Sequence, residues 1–587
     1  MVFSGYMATL PEKRHTLAHL LAAAVAERYP HAKATIGPAV DNGFYYDFDF
    51  SGEKPGDADL EKLTADMRDL LPSWTEMTGV EVSDADAKDR FKGNQFKLEI
   101  IDEIVKKSEK ITLYSAGGFT DLCRGGHSEH PAHDIPADSF VLDRIAGAYW
   151  RGDEKNPQLT RIYGLAFDTK ADLEAYQTQV EEAKKRDHRK LGVELDLFTF
   201  SDLVGSGLPL FTPKGTVLRE EIHKYSQELR TKRGFDRVWI PHITKTDLYE
   251  KSGHWAKFGD ELFLVKSQET SDKFVLKPMN CPHHTQIYAS RGRSYRDLPL
   301  RYLETTTVYR DEKKGELAGL SRVRSITQDD SHVFCRPDQI EQEYSAIMEM
   351  VMEFYQTMGM KFRARLSFRD PAAPEKYLGE DALWDSAESQ LEAIAKKGGF
   401  EYFIATGEAA FYGPKIDFMA TDALGREHQL ATGQLDFVQP ARFELEYIDT
   451  DGSPKTPVMI HLAIAGSLER FLSVYIEHTA GVFPLWMAPV QVAVLPVSEK
   501  HAEYANQVIA KLKEVGIRTE LHADDSLGKR IRAVKTAKVP CFLVLGDTEA
   551  GAGTVTVENN RSGDKATVPV QEFIDATLAR IKERANI

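Results

Sequence analysis

The stretch Thr305 to His332, TTTVYRDEKKGELAGLSRVRSITQDDSH, constrains this chain more than any other. TTTVYR is rich in β-branched residues and reads as a strand. Gly315 and Gly319 punctuate a turn, and ITQDDSHVF reads as the returning strand. At the two-residue period of a strand, Gln328, Asp330 and His332 share one face. A half-buried strand ordinarily sets apolar residues there. Here an amide, a carboxylate and an imidazole converge beside Arg310 and the run Arg322 to Arg324, which predicts a binding site rather than a solvated edge hairpin.

A second segment, PVMIHLAIAGSLERFLSVYIEHTAG from Pro457 to Gly481, passes from an apolar strand through a Gly-Ser break into an amphipathic helix. Ser467 is the expected N-cap and Gly481 the expected stop. Arg470 falls in the first helical turn, where a cation opposes the helix dipole unless it serves an anion. The pattern therefore calls for an anionic ligand, approached closely at Gly466.

These two segments resemble motifs two and three of the class II aminoacyl-tRNA synthetases, and GFDRVWIPHI around Pro241 resembles their motif one. KPMNCPHH (Lys277 to His284), TQDDSH, YGPK (Tyr412 to Lys415), HQLATGQLDF (His428 to Phe437) and MIHLAIAGSLERF are similar to the signature segments of the threonyl-tRNA synthetase family, in that family's order over nearly the whole chain. The resemblance implies a multi-domain α+β protein that activates L-threonine with ATP and transfers it to the 3′ end of tRNA(Thr). A class II enzyme of prolyl or seryl specificity is expected to lack the full set Cys281, His332 and His461. A non-catalytic RNA-binding paralogue is expected to lose one of Arg310, Arg322 and Arg470, and all are present.

Length and composition agree with several domains, since 587 residues that are 42% hydrophobic exceed what one core accommodates. The expected division is an editing domain with a connector helix over residues 1–186, a class II catalytic domain built on an antiparallel sheet over 187–487, and an α/β anticodon-binding domain over 488–587. The last is read from an alternation of VQVAVLPV, EYANQVIAKLKEVG, IRTELHA, a basic helix and VPCFLVLGD. The editing-like helix begins almost at Met1, which suggests a form lacking the family's N-terminal ubiquitin-like module. The four cysteines form no CxxC pair, no signal peptide is apparent, and AHLLAAAVA is too short to span a bilayer, so a cytoplasmic protein is expected. A net charge of −16 sits awkwardly with tRNA, so basic residues must act locally. The candidates are Lys184 to Lys190 and Gly528 to Lys538.

The resemblance assigns roles residue by residue. Cys281, His332 and His461 would hold one Zn2+ with an open fourth position, the donor set of sites where zinc meets substrate. Such a metal takes the threonine amino group and hydroxyl, so valine leaves it unfilled. Asp330 would accept the hydroxyl proton, and Gln328, Tyr412 and Gln434 would complete the threonine pocket. Arg310 would bridge the threonine carboxylate and the α-phosphate, Glu312 would meet the adenine, and Arg322, Arg470, Gln429 and Lys415 would serve the phosphates, with Mg2+ accompanying ATP. His254, in GHW, matches a residue that helps deprotonate the terminal ribose. Serine differs from threonine by one methyl, worth about 1–3 kcal/mol of discrimination, so a second sieve is needed. His15 and His19, one helical turn apart, with Lys97, Asp121, Cys123 and His127, resemble the family's editing site for seryl-tRNA. Their spacing also suits a metal, although the family activates water there through side chains. Glu549 matches an acidic anticodon reader, whereas Glu558 stands where the family has a basic one, with Arg561 nearby. Motif one, finally, implies a homodimer.

Overall fold

A computed structural model describes residues 8–585 and divides the chain into two compact units, one up to Glu181 and one from Glu182. The first unit is organised by the helix Leu10–Arg28, which starts where the Thr9 N–H donates to Glu12 Oε2 at 2.8 Å. Its Leu17, Leu20, Leu21 and Val25 pack on Phe44, Tyr46 and Phe48 of the strand Gly43–Asp49 and on Ile162. That strand belongs to an antiparallel sheet with Lys33–Ala34, Gln158–Ala166 and Phe140–Tyr149. A second antiparallel sheet, Thr78–Val82, Ile111–Ala116 and Phe119–Leu122, lies with the helix Gln95–Lys106. Asn94 caps that helix by accepting the N–H groups of Phe96 and Lys97 at 3.2 Å.

The second unit is built on an eight-stranded sheet. Its order is Asp236–Arg237, Leu300–Tyr309, Ser325–Cys335, Val458–Ser467, Glu427–Asp436, Lys415–Thr421, Lys361–Phe368 and Tyr402–Thr406. The outermost pair at each end is parallel and the six central strands are antiparallel, as the motif order led us to expect. Helices Pro213–Thr231, Ile340–Thr357 and Leu468–Thr479 bury one face of the sheet through residues such as Leu218, Ile222, Tyr344, Ile347, Phe354 and Phe471. The opposite face carries the polar side chains of the cavity and, at one end, Tyr302, Phe334 and Met459 packed with Tyr288 of the helix Cys281–Ala289.

The C-terminal part carries a further sheet, in which Thr519–Leu521, Val492–Pro496 and Cys541–Leu545 run parallel and Thr554–Asn559 and Lys565–Pro569 follow antiparallel. Arg518 from this part donates to the carbonyls of Trp486 and Ala488 and pairs with Glu221 at 3.2 Å. Among the described residues no helix is long and apolar enough to cross a membrane.

Candidate active site

The central strands explain why so many polar residues face one way. In the pairing of Ser325–Cys335 with Val458–Ser467, His332 lies opposite His461. Farther along, Asp330 opposes Ala463 while Gln328 opposes Ser467, so the second strand bulges by two extra residues. Buried Asp329 fills that bulge, accepting the N–H groups of Ile464, Ala465 and Gly466 at 3.2, 2.9 and 2.8 Å and the Ser226 hydroxyl at 2.6 Å. Fully buried Arg230 ties the same strand by donating to the carbonyls of Asp329 and Asp330 and to Ser331 Oγ. Gly466 has φ +69°, and a Cβ there would sit 2.4 Å from the Leu430 carbonyl oxygen, so only glycine fits. The bulge delivers Ser467 as N-cap of the helix Leu468–Thr479, its Oγ accepting the Arg470 N–H at 3.2 Å. Buried Glu469 accepts the Thr327 N–H at 2.8 Å and locks the helix start to the neighbouring strand.

The result is a cavity of about 710 Å³. Arg310, Glu312, Arg322, Gln328, Asp330, Tyr412, Gln429, Gln434, Arg470, His254, Cys281, His332 and His461 all line it. Lys415 is the exception: its ammonium stands behind the wall, 2.9 Å from buried Asp417, which also holds Gln429 and Thr432. Glu312 is occupied by Arg322 at 2.7 Å, and Arg322 also meets Glu316 at 2.6 Å. Among the described residues no carboxylate pairs with Arg310 or Arg470. Two uncompensated guanidiniums in one polar cavity make an anion site. Burial, with His461 and Arg310 nearby, pulls His254 down to about 3, so it is a neutral imidazole whose Nδ1 engages Ser252 Oγ at 2.7 Å.

At the inner end, the ligand atoms of Cys281, His332 and His461 lie within 4.8 Å of one another. Each imidazole is oriented from behind. His461 Nε2 donates to Asp436 at 2.8 Å, which leaves its Nδ1 lone pair facing the cluster. His332 Nδ1 engages His284 at 2.8 Å, and its Nε2 lies 3.1 Å from His461 Nδ1. Cys281 opens the helix Cys281–Ala289, and burial pushes its thiol up while His332 is pushed down. Two imidazole lone pairs and a sulfur meeting in a desolvated corner form the donor set zinc takes. Asp330, whose carboxyl burial pushes up, stands 3.9 Å from His332 Nε2 and is held by Asn280 at 2.9 Å.

In the first unit the structure gathers His15, His19, Lys97, Asp121, Cys123 and His127. Cys123 Sγ lies 3.4 Å from His15 Nε2 and 3.3 Å from His127 Nε2. The ligand atoms of the three histidines and the cysteine fall within 4.8 Å. Asp121 does not face the opening. It is buried and spent on Lys97 at 2.6 Å, His19 Nδ1 at 2.9 Å and the Tyr46 hydroxyl. Burial opposes both charges in the cluster, yet the histidine hydrogen bonds pull Cys123 down to about 3, and Asp121 with Cys123 raises His19 to about 9.

Asp329, Asp436, His284, Arg230 and Tyr46 escaped the sequence reading. The signals were the adjacency of Asp329 to Asp330 and the places of His284 and Asp436 inside KPMNCPHH and HQLATGQLDF. The basic run Gly528 to Lys538 is partly structural, since Arg530 is buried against the Pro496 and His522 carbonyls. Glu558 is clamped by Lys535 at 2.8 Å and Lys565 at 2.9 Å, and Glu549 is engaged by the Gly546 N–H and the Thr556 hydroxyl.

Comparison with known proteins agrees with this geometry. Residues 263–479 match the class II core domain of tRNA synthetases (G, H, P, S and T), and residues 491–580 match an anticodon-binding domain. The threonine–tRNA ligase of Gloeobacter violaceus is 48% identical over 98% of this chain and 93% of its own length. That of Thermus thermophilus is 45% identical over 97% and 88%. Among solved structures, the RNA-binding domain of threonyl-tRNA synthetase from Cryptosporidium parvum superposes with a TM-score of 0.64 at 35% identity, covering 67% of this chain and 98% of that one.

Proposed function

The chain belongs to the threonyl-tRNA synthetase family, whose reaction joins threonine to tRNA at the expense of ATP, and from that premise we propose how its residues divide the work. The observation that carries the proposal is the shared cavity, with Arg310 and Arg470, which no carboxylate pairs among the described residues, at one end and Cys281, His332 and His461 at the other. Arg310 holds the threonine carboxylate against the α-phosphate, so attack is prepaid by orientation and the developing charge meets a fixed guanidinium. Arg470 faces the outer phosphates, and Mg2+ accompanies the nucleotide. Arg322 serves the same phosphates once it leaves Glu312, whose carboxylate is then free for the adenine amino group. Gln429 reaches the cavity already anchored on Asp417, and Lys415 acts through that carboxylate rather than on the nucleotide.

A zinc ion bound by Cys281, His332 and His461 would supply a Lewis-acidic position for the amino group and hydroxyl of threonine. Asp330 takes the hydroxyl hydrogen, Tyr412 and Gln434 close the pocket as a hydrogen-bonded pair, and Gln328 lines its wall. Neutral His254 offers a hydrogen-bond partner for the terminal ribose of tRNA. Amino-acid-dependent ATP–pyrophosphate exchange, run with metal analysis on the same sample, tests this reading. Exchange should require threonine and about one zinc per chain. Equal exchange in zinc-free protein would refute it.

The cluster around Cys123 supports hydrolysis of seryl-tRNA(Thr) by residues of the first unit. His15 and the Cys123 thiolate supply proton acceptors at the opening, with His127 behind the sulfur, while Asp121, itself held by Lys97 and Tyr46, holds His19 from beneath. Helix Pro213–Thr231 supplies the two-fold face of a homodimer, so sedimentation at assay concentration should give twice the chain mass. All four cysteines are unpaired, which suits a cytoplasmic enzyme that should fractionate with the soluble proteins.

A further inference from the structure

His188 opens the helix His188–Glu194 of the second unit and is buried, far in sequence from every motif of the site. Its Nδ1 lies 2.7 Å from Glu477 Oε1, and its Nε2 accepts the N–H of Leu320 at 3.1 Å. An amide hydrogen pointing at Nε2 requires a lone pair there, so the ring is neutral with its proton on Nδ1, donated to Glu477. Both nitrogens are spent. Although Asp187, His188 and Glu477 cluster closely enough for a metal, no imidazole lone pair remains for one.

The two partners of this ring matter because of what they carry. Leu320 sits in a tight turn in which Ala318 and Arg322 exchange backbone hydrogen bonds at 3.2 and 3.3 Å, and Arg322 lines the cavity two residues on. Glu477 lies in the last turn of the helix whose first turn carries Arg470, and Arg426 fixes its other oxygen at 2.6 Å. Gly319, with φ +51°, leaves room for the ring, since a Cβ there would fall 2.3 Å from His188 Nε2. We propose that His188 is a positioning residue for threonine activation, tying the turn that presents Arg322 to the helix that presents Arg470, so that the backbone from which each guanidinium reaches the nucleotide is fixed before the nucleotide arrives.

This inference rests on the reading of Arg322 and Arg470 as ATP-binding residues, which the ATP KM of Arg322→Ala and Arg470→Ala in the same exchange assay tests separately. Three variants of the full chain isolate the tie itself. Glutamine places its side-chain oxygen near the Nε2 position and keeps the bond to Leu320, whereas asparagine keeps only the reach to Glu477. In pyrophosphate exchange, His188→Ala and His188→Asn should raise the KM for ATP about fivefold to tenfold, the effect of one lost hydrogen bond on a preorganised turn. The KM for threonine should stay within about twofold, because the threonine pocket lies at the other end of the cavity. His188→Gln should restore the ATP KM to within about twofold of wild type. An unchanged ATP KM in His188→Ala overturns the proposal. So does an equal loss of ATP and threonine binding in all three variants, which would mark a purely structural histidine.

Discussion

Replacing Asp436 by asparagine tests the metal reading without touching a ligand. Asp436 is buried and accepts four hydrogen bonds, from the N–H groups of Val438 and Gln439 at 2.8 and 2.9 Å and from Gln439 Nε2 and His461 Nε2 at 2.8 Å each. Asparagine is isosteric but has one accepting oxygen. Whichever way its amide turns, two N–H groups face an NH2. If the oxygen stays with the backbone pair, His461 is better off moving its proton to Nδ1, the nitrogen facing Cys281 and His332. That tautomer has no lone pair for the metal. Losing such an orienting partner weakens metal binding by about tenfold to a hundredfold, about 1.4–2.8 kcal/mol. Zinc retention under chelator competition and the threonine KM in exchange should worsen together, with the ATP KM unchanged because Arg310 and Arg470 are untouched. A variant that keeps zinc and threonine affinity at wild-type level would show that His461 does not depend on Asp436 for its tautomer.

The other expectations concern the first unit. Cys123, pulled down to about 3 by His127, His15 and His19, should react with iodoacetamide at a rate nearly flat from about pH 5 to 8, whereas an ordinary thiol speeds up about tenfold per unit over that range. A tenfold rise per unit at Cys123 would mean the thiol is protonated. Replacing His15, His19 and Cys123 by alanine should leave threonine activation intact and let seryl-tRNA accumulate, since one methyl gives only about 1–3 kcal/mol of discrimination. If the variant clears preformed seryl-tRNA as fast as wild type, the cluster is not an editing site.

What sequence showed and what it hid divide along a physical line. Local rules were legible: the alternation that puts Gln328, Asp330 and His332 on one face, the cap at Ser467, the stop at Gly481 and the strand-helix alternation after Met487 all depend on neighbours in the chain. The residues that aim the chemistry were not. Asp329 alternates onto the face away from the cavity, and nothing in the DD pair says that its carboxylate will gather three amides from a strand some 135 residues away. Asp436 and His284 matter only because the Val458 strand inserts between the Ser325 and Glu427 strands, a non-consecutive order that no local pattern encodes. A basic run expected to meet tRNA concealed Arg530, which the fold uses to hold carbonyls.

The two Cys-His clusters show why similar residues need not share a cofactor. Around Cys281 burial keeps the thiol protonated and His332 neutral, while the carboxylates of Asp330 and Asp436 stand close by, so the corner gathers sulfur and nitrogen donors with no cation paired to them among the described residues. A divalent ion held by Cys281, His332 and His461 would offset that imbalance and let the sulfur ionise. Around Cys123 the balance is already struck. One thiolate and one carboxylate, Cys123 and Asp121, face one imidazolium and one ammonium, His19 and Lys97, with the sulfur held by His15 and His127. A divalent ion there would have to displace the proton on His19 Nε2, since Nδ1 is kept by Asp121, and the charges of Asp121 and Cys123 raise the affinity for that proton to about 9. Metal binding releases ligand protons, and its cost grows with their affinity. The charge arrangement thus predicts one zinc per chain rather than two, and a second tightly held zinc lost on replacing Cys123 would refute it.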